Sequence, residues 1–465
     1  MSLSDHPKAY GSAAVALAFT AGILVTLGLK DFYPDLEYRY RYRHKRGPSS
    51  ARPADGRISS FFSLGPPLKL EDHGDHESRR PSPGHHHPQE QQQQPAEGIE
   101  SCIGNTPLIE IRSLSKATGR TILAKAEFLN GVGNSPKDRV ALNMIREAER
   151  NGLLVPHRGD TIYEGTVGST GISLAALARA RGYKAHICMP DDQALEKSDL
   201  LHHLGATVER VAVAPITSPD HFVNLARRRA YDHAGNAADG SRGFFANQFE
   251  SEANWHAHLT ATGPEIWKQT DGHLDAFVAG AGTGGTISGV ARYLKMEADA
   301  GAVRIVLADP QGSGLYNKIK HGVMYSPTER EGTRRRQQVD SMVEGIGINR
   351  ITDNFEAGRD LIDDAVKVTD GQACRMARWL VENDGIFVGS SSSVNCVAAV
   401  MTAMSLPEGS RVVTILCDSG TRHLSKFWKS IKEMGLEDEE ATDLFVELGV
   451  GYPRLRPRRD VLCDR

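Results

Sequence analysis

The residue in this chain whose type and setting best suit covalent chemistry is Lys137. It lies in Gly133-Asn-Ser-Pro-Lys-Asp-Arg-Val-Ala-Leu-Asn-Met144, which reads as a helix start. Ser135 can cap, Pro136 suits the first helical position, and Val140, Met144 and Ala148 recur at helical spacing. Lys137 therefore falls in a first turn, where free backbone N–H groups and the positive end of the macrodipole disfavour a cation. Such a site lowers a lysine's pKa. The neutral amine that results can attack a carbonyl carbon. In isolation, the triplet reads as a solvated lysine paired with Asp138; the rest of the chain shifts that balance.

Three loops carry further candidates. Gly282-Thr-Gly-Gly-Thr286 follows an apolar run and precedes a helical one, so its glycines let the backbone approach a phosphate at a helix N-terminus. Thr283 and Thr286 add hydroxyls. Gly280, Gly282 and Gly285 also match the dinucleotide pattern G-x-G-x-x-G, with Asp309 closing the next apolar run, so a nicotinamide-dependent oxidoreductase is a live alternative. Thr166-Val-Gly-Ser-Thr-Gly171 is rich in hydroxyls at another helix start and suits a carboxylate; plain capping by Ser169 or Thr170 is the simpler reading. Ser390 to Ser393 open a third helix, and a serine there can pair with a neutral ring nitrogen. An amine, a phosphate cup and a carboxylate loop together outline pyridoxal phosphate with an amino acid attached.

The elements that must hold these groups follow from the alternation of short apolar runs with helical stretches after Gly98. Strands are expected at Thr121–Glu127, Thr161–Tyr163, Lys184–Met189, Leu274–Ala279, Arg304–Ala308, Gly385–Val388 and Arg411–Leu416. Helices are expected at Ile172–Arg181, Ile287–Lys295 and from Val394. Repeated strand–loop–helix units imply an α/β fold of mainly parallel twisted sheets flanked by helices, with ligands at the carboxyl ends of the strands.

The 465 residues allow two folded parts with appendages, and the net charge of −3 points away from a nucleic-acid partner. The six cysteines lack metal or Cys-x-x-Cys spacing and most sit in apolar runs, as expected of buried thiols in a reducing compartment. Residues 9–29 contain no charge and are long enough to cross a bilayer as a helix. The basic run Tyr38–Arg46 follows them, so the bulk of the chain is expected on the cytosolic side. A secretory signal is the alternative. Residues 47–97, with His85–His87 and Gln91–Gln94, read as a disordered linker. The expected organisation is an anchor with its basic flank at 1–46, the linker at 47–97, a catalytic region at 98–430 and a tail at 431–465. Within the catalytic region a smaller subdomain takes about 131–250, and a larger one takes 98–130 plus 251–430.

Five motifs in order give the stretch from Ile99 to Phe427 a family resemblance. They are Ile103-Gly-Asn-Thr-Pro-Leu108, Ser135-Pro-Lys-Asp-Arg139, Gly282–Thr286, Glu344-Gly-Ile-Gly347 and Asp418-Ser-Gly-Thr-Arg422; Asn247-Gln-Phe-Glu250 adds a weaker match. The chain resembles the cysteine synthase and cystathionine β-synthase group, pyridoxal-phosphate enzymes of fold type II. Its apolar span, linker and Arg334–Arg336 insertion resemble a membrane-anchored, mitochondrial-type subgroup.

The resemblance implies that Lys137 condenses with the cofactor aldehyde and carries the α-proton. It implies that Gly282, Thr283, Gly284, Gly285 and Thr286 bind the phosphate and that Ser391 meets the pyridine nitrogen. Thr166, Ser169, Thr170 and Gln248 would hold the substrate carboxylate and the cofactor ring. The implied reaction replaces the acyl group of an O-acylated serine with sulfide to give cysteine. Cystathionine formation, cysteine desulfhydration and a tethered, catalytically impaired binding protein are the alternatives. Two positions depart from the family: Val167 stands for a serine, and Ser169 for the asparagine that bonds the cofactor's phenolic oxygen. The family's haem segment and regulatory module have no counterpart here. A homodimer is implied. The anchor suits the mitochondrial outer membrane, single-pass with the catalytic part in the cytosol, or else the endoplasmic reticulum.

Overall fold

The computed structural model describes residues 98–450, apart from 194, 237–238, 325–340 and 437–442. The apolar stretch at 9–29, the basic run, the linker with its histidine tract and the Arg334–Arg336 insertion lie outside the described residues. Among the described residues no helix is long and apolar enough to cross a membrane.

Two sheets carry the chain. The larger has six strands in the order β1-β2-β10-β7-β8-β9. These are β1 (Leu108–Glu110), β2 (Thr121–Ala126), β7 (Ala276–Gly280), β8 (Arg304–Pro310), β9 (Asp364–Val368) and β10 (Arg411–Leu416). Only β1 runs antiparallel to its neighbour; the remaining pairs are parallel. The smaller sheet is fully parallel in the order β5-β4-β3-β6, from β3 (Thr161–Gly165), β4 (Lys184–Pro190), β5 (Thr207–Val211) and β6 (Gly243–Phe245). Strands covered on both faces need no polar alternation. Thus β10 reads Val412-Val-Thr-Ile-Leu416 and is buried throughout that run.

Four helices position the candidate groups: α1 (Lys137–Arg150), α2 (Ser169–Ala180), α3 (Gly285–Arg292) and α4 (Ser390–Met404). In α1, Val140, Met144 and Ala148 are all buried, as their spacing predicts, in the core under the small sheet. The helix α4 is apolar almost all round and is covered from Ser390 to Val400 between the large sheet and the helix Asp370–Asp384. A second large-sheet core gathers Phe277, Ile287, Val290, Ile305 and Ile415. Leu444, Phe445 and Leu448, on a short C-terminal helix, are also buried in the first core.

Several boundaries differ from the sequence expectation. The helices begin earlier than Ile172, Ile287 and Val394, at Ser169, Gly285 and Ser390. First-turn N–H groups need no intrahelical partner, so residues with poor helix propensity are tolerated there and disguise the start. The run Gly385–Val388 is not a strand; its one pairing is an isolated bridge from Val388 to Ser419. Gly385 is the left-handed cap of the preceding helix at φ 66° and α4 begins five residues later, so no length is left for a ladder. Strands β1, β5, β6 and β9 were not expected. Two of them have only three residues, and β5 carries Glu209 and Arg210 in its middle.

Candidate active site

The carboxyl ends of β3, β7 and β10 open on one cavity of about 340 Å³. That is within the usual size range for a small-ligand pocket, roughly 300–1,000 Å³. Lys137, Thr166, Ser169, Thr170, Gln248, Gly282, Thr283, Gly284, Thr286 and Ser391 all line it. Gly285, by contrast, lies behind the wall, where it begins α3.

Lys137 is the first residue of α1, and its backbone N–H donates to the Ser135 hydroxyl oxygen at 3.3 Å. Its amine has no hydrogen-bond or ion-pair partner among the described residues. Its pKa is lowered, chiefly because packing removes water from the charged form. Cys417 and Asp418 oppose that shift. Burial pushes the Cys417 thiol up to about 12, so the thiol is uncharged near neutrality. Burial, not the helix tip, is thus the cause of the lowered basicity of Lys137.

The two residues after Lys137 explain the rest of the triplet. The Asp138 carboxylate accepts the Gly133 N–H at 2.7 Å and the Ser173 hydroxyl at 2.6 Å, which fixes the approach to α1. It is therefore not the surface partner of Lys137. Arg139 is bonded to Glu127 at 2.8 Å and to Glu265 at 2.6 Å, and Lys125 reaches Glu265 at 2.6 Å. Arg139 and Lys125 hold the Glu265 carboxyl down at about 2 despite its burial.

The loop after β7 is an anion cup by construction. Gly284 adopts φ 86°, and a Cβ there would lie 2.5 Å from Phe355 Cα. A Cβ on Gly282 would meet the Gly345 carbonyl oxygen at 2.2 Å, and one on Gly285 would meet Asn254 Oδ1 at 2.0 Å. The glycines let the loop press back onto the protein. The N–H groups of Gly282, Thr283, Gly284 and Thr286 then have no protein partner among the described residues. The Thr286 hydroxyl pairs with His258 Nε2 at 3.2 Å, and burial holds His258 neutral. The dinucleotide alternative loses its acidic partner: Asp309 is fully buried and accepts the Tyr316 N–H at 2.8 Å, with Lys367 at 3.3 Å.

The four serines that begin α4 divide cleanly. Ser390 accepts the Glu344 N–H, Ser392 accepts the Cys417 N–H, and Ser393 donates to the Gly389 carbonyl. Only Ser391 of the four lines the cavity, with its hydroxyl beside the Cys417 thiol. In the third loop the Thr166 hydroxyl accepts the Gly168 N–H at 3.3 Å, and the Thr170 hydroxyl donates to Gln248 Oε1 at 2.5 Å. Gly168, not Ser169 or Thr170, is the cap of α2, and no side chain caps it.

The cavity mouth brings together residues that sequence reasoning left without roles. Lys197 pairs with Glu344 at 3.1 Å across the opening, His423 meets Asp418 at 3.0 Å, and Lys426 reaches Glu344 at 3.3 Å. Asp418 and Glu344 raise the His423 pKa to about 9 against its burial. The Arg422 guanidinium donates to the Gly133 carbonyl just before α1. Glu344, Asp418 and Arg422 sat inside motifs, which was a usable signal; Lys197 and Cys417 had none. Cys417, expected only as a buried thiol, lines the cavity, and Cys102 is exposed. Elsewhere the register of β4 with β5 gathers His186, Cys188 and Glu209, but Arg229 already occupies that carboxylate at 2.7 Å.

These donors fit pyridoxal phosphate: free N–H groups on a glycine cup, an unpaired amine of lowered basicity and a neutral hydroxyl share one cavity. The sequence matches the family described as pyridoxal-phosphate dependent enzyme over residues 99–418, and the chain belongs to that family. It is an enzyme of the cysteine synthase type, of fold type II. The Cysteine synthase 2 of Neurospora crassa is 68% identical over 97% of this chain and 99% of its own length. A Saccharomyces cerevisiae relative whose name includes the words mitochondrial cysteine synthase is 56% identical over 73% of this chain and 86% of its own. Among solved structures, O-ureido-L-serine synthase is similar at a TM-score of 0.62 and 30% identity, covering 75% of this chain and 98% of that one.

Proposed function

We propose that this chain forms L-cysteine by β-replacement on an O-acylated serine, with sulfide as the incoming nucleophile. The observation that carries the reading is the unpaired amine of Lys137, lowered in basicity by burial, in the same cavity as the open N–H cup and the Thr170–Gln248 pair. Pyridoxal phosphate, when bound, withdraws electrons from the α-carbon of the amino acid and so allows the β-substituent to leave.

The chain's own residues do the rest. Gly282, Thr283, Gly284 and Thr286 offer N–H groups to the phosphate, and Gly285 lets α3 begin close behind them. Ser391, an uncharged hydroxyl, pairs with the ring nitrogen without protonating it, which restrains electron withdrawal and favours elimination over transamination. Thr166, Ser169, Thr170 and Gln248 orient the substrate carboxylate and the ring. Lys137, kept neutral by its surroundings, takes and returns the α-proton. Val167 and Ser169 leave that wall with one hydroxyl fewer and a shorter donor than the family pattern. The relatives named as cysteine synthases support cysteine as the product.

The purified full chain is expected to be yellow and to shift its visible band with O-acetyl-L-serine. Product analysis with sulfide against homocysteine separates cysteine from cystathionine formation. Lys137→Ala is expected to lower turnover by about 10³-fold or more, the upper range for loss of acid–base assistance. A protein with no pyridoxal band, or a Lys137→Ala variant with normal turnover, sinks the reading. The charge-free stretch 9–29 and the name of the yeast relative support a mitochondrial site with a membrane anchor. Imaging a fusion of the first fifty residues tests that, and an endoplasmic-reticulum pattern refutes it.

A further inference from the structure

One buried acid lies beside the cavity without lining it. Glu164 is the penultimate residue of β3 and is fully buried. No cation pairs with it among the described residues. Leaving a carboxyl out of water without a counter-ion is costly, so its hydrogen bonds indicate what it is there to hold. Oε1 accepts the N–H of Gly165 at 3.0 Å, one residue before the loop that faces the cavity. Oε2 accepts the N–H of Gln248 at 3.1 Å, from the turn after β6.

Gln248 is held tightly around that bond. Asn247 before it takes a left-handed φ of 55°, a conformation a non-glycine residue keeps only when its surroundings enforce it. Asn254 and Asn354 donate to the Gln248 carbonyl at 2.7 and 2.9 Å. Its side chain turns back toward the loop, where Nε2 donates to the Gly165 carbonyl at 3.3 Å and Oε1 accepts the Thr170 hydroxyl. One carboxyl thus ties the start of the loop to the backbone of the residue whose amide meets the loop's far end.

We propose that Glu164 is a positioning residue that fixes Gln248 against the 166–170 loop and thereby sets affinity for the amino-acid substrate. It does not face the cavity and does not touch the substrate. The inference rests on the amino-acid reading of that cavity. Burial pushes the Glu164 pKa up to about 8, and the hydrogen bonds from Gln248 and Gly165 oppose that shift.

Glu164→Gln keeps shape and volume but turns one acceptor into a donor that faces an N–H group. With purified full-chain protein carrying pyridoxal phosphate, two titrations read the effect: the band shift with L-serine, and steady-state rates with O-acetyl-L-serine and sulfide. The apparent Kd for L-serine and the KM for O-acetyl-L-serine are expected to rise about 5- to 50-fold, the range for one unsatisfied buried group. The KM for sulfide, the kcat and the cofactor content should change less than about twofold. In a Gln248→Ala background the same substitution should add less than about twofold, because the route runs through Gln248.

A normal wild-type titration with unchanged donor affinity in Glu164→Gln overturns the role of Glu164. So does an equal effect in both backgrounds, or a loss of cofactor and thermal stability alongside donor affinity. A wild-type protein that holds the cofactor yet shifts with neither amino acid overturns the amino-acid reading itself.

Discussion

In the 281–286 loop, shape is imposed from behind. Gly282 abuts the Gly345 carbonyl, Gly284 abuts Phe355 and Gly285 abuts Asn254, so no side chain fits at those three positions. In the 166–170 loop, shape is imposed by reach. Thr170 leans on Gln248, Gln248 on Glu164, and Thr166 on its own Gly168 N–H. One loop is fixed by missing atoms and the other by a relay of hydrogen bonds among residues up to 84 positions apart. The first kind tolerates almost no substitution but leaves a visible glycine signature. The second leaves no such signature, and the two departures from the family pattern, Val167 and Ser169, fall within it.

Breaking the first loop should therefore have the larger effect. Gly284→Ala puts a Cβ 2.5 Å from the Phe355 Cα in a left-handed conformation. Backbone strain and overpacking each cost about 1–3 kcal/mol. We expect a clear fall in Tm by calorimetry together with loss of bound cofactor by absorbance; a fully loaded, stable variant would deny that the loop is set by packing.

Breaking the second should be milder and more selective. Thr170→Val removes the hydroxyl that Gln248 Oε1 accepts, leaving a buried acceptor unpaired at a cost of about 1–3 kcal/mol. The KM for the amino-acid donor should rise about tenfold with cofactor occupancy unchanged. Equal losses of cofactor and donor binding would mean that the two loops are not separable.

The smallest effect is expected at the mouth between them. The His423 pKa is raised to about 9 from 6.5 by Asp418 and Glu344, so the folded state binds the proton more tightly than the unfolded chain. Its contribution is complete below about pH 6.5 and is lost as pH rises to about 9, a change of at most a few kcal/mol. Thermal melts between pH 6 and 10 should show a decline that His423→Gln abolishes; parallel curves would assign the decline to other groups.

What could be read from the sequence follows the same division. Lys137, the glycine loop and the serine run announce themselves because their physics is local: a helix start, a backbone that must bend, an N-terminal turn. The boundaries at Ser169, Gly285 and Ser390 were missed because first-turn residues obey capping rules instead of helix propensity. The supposed strand at Gly385–Val388 failed because an apolar run says nothing about whether a neighbouring edge is free to pair. Glu164, Lys197 and Cys417 were invisible for another reason. Each matters through a partner that only the folded sheets bring near, such as Gln248 for Glu164 and Glu344 for Lys197.

The buried cluster of Arg139, Glu127, Glu265 and Lys125 has a mechanical consequence. Although α1 packs on α2, in the layer of the small sheet, two residues past Lys137 it is bolted to the end of β2 in the large one. Any rocking of the small sheet against the large would then carry the 166–170 wall along but leave the reactive amine registered with the glycine cup. The width of the opening could then change while the aim of the nitrogen stays constant.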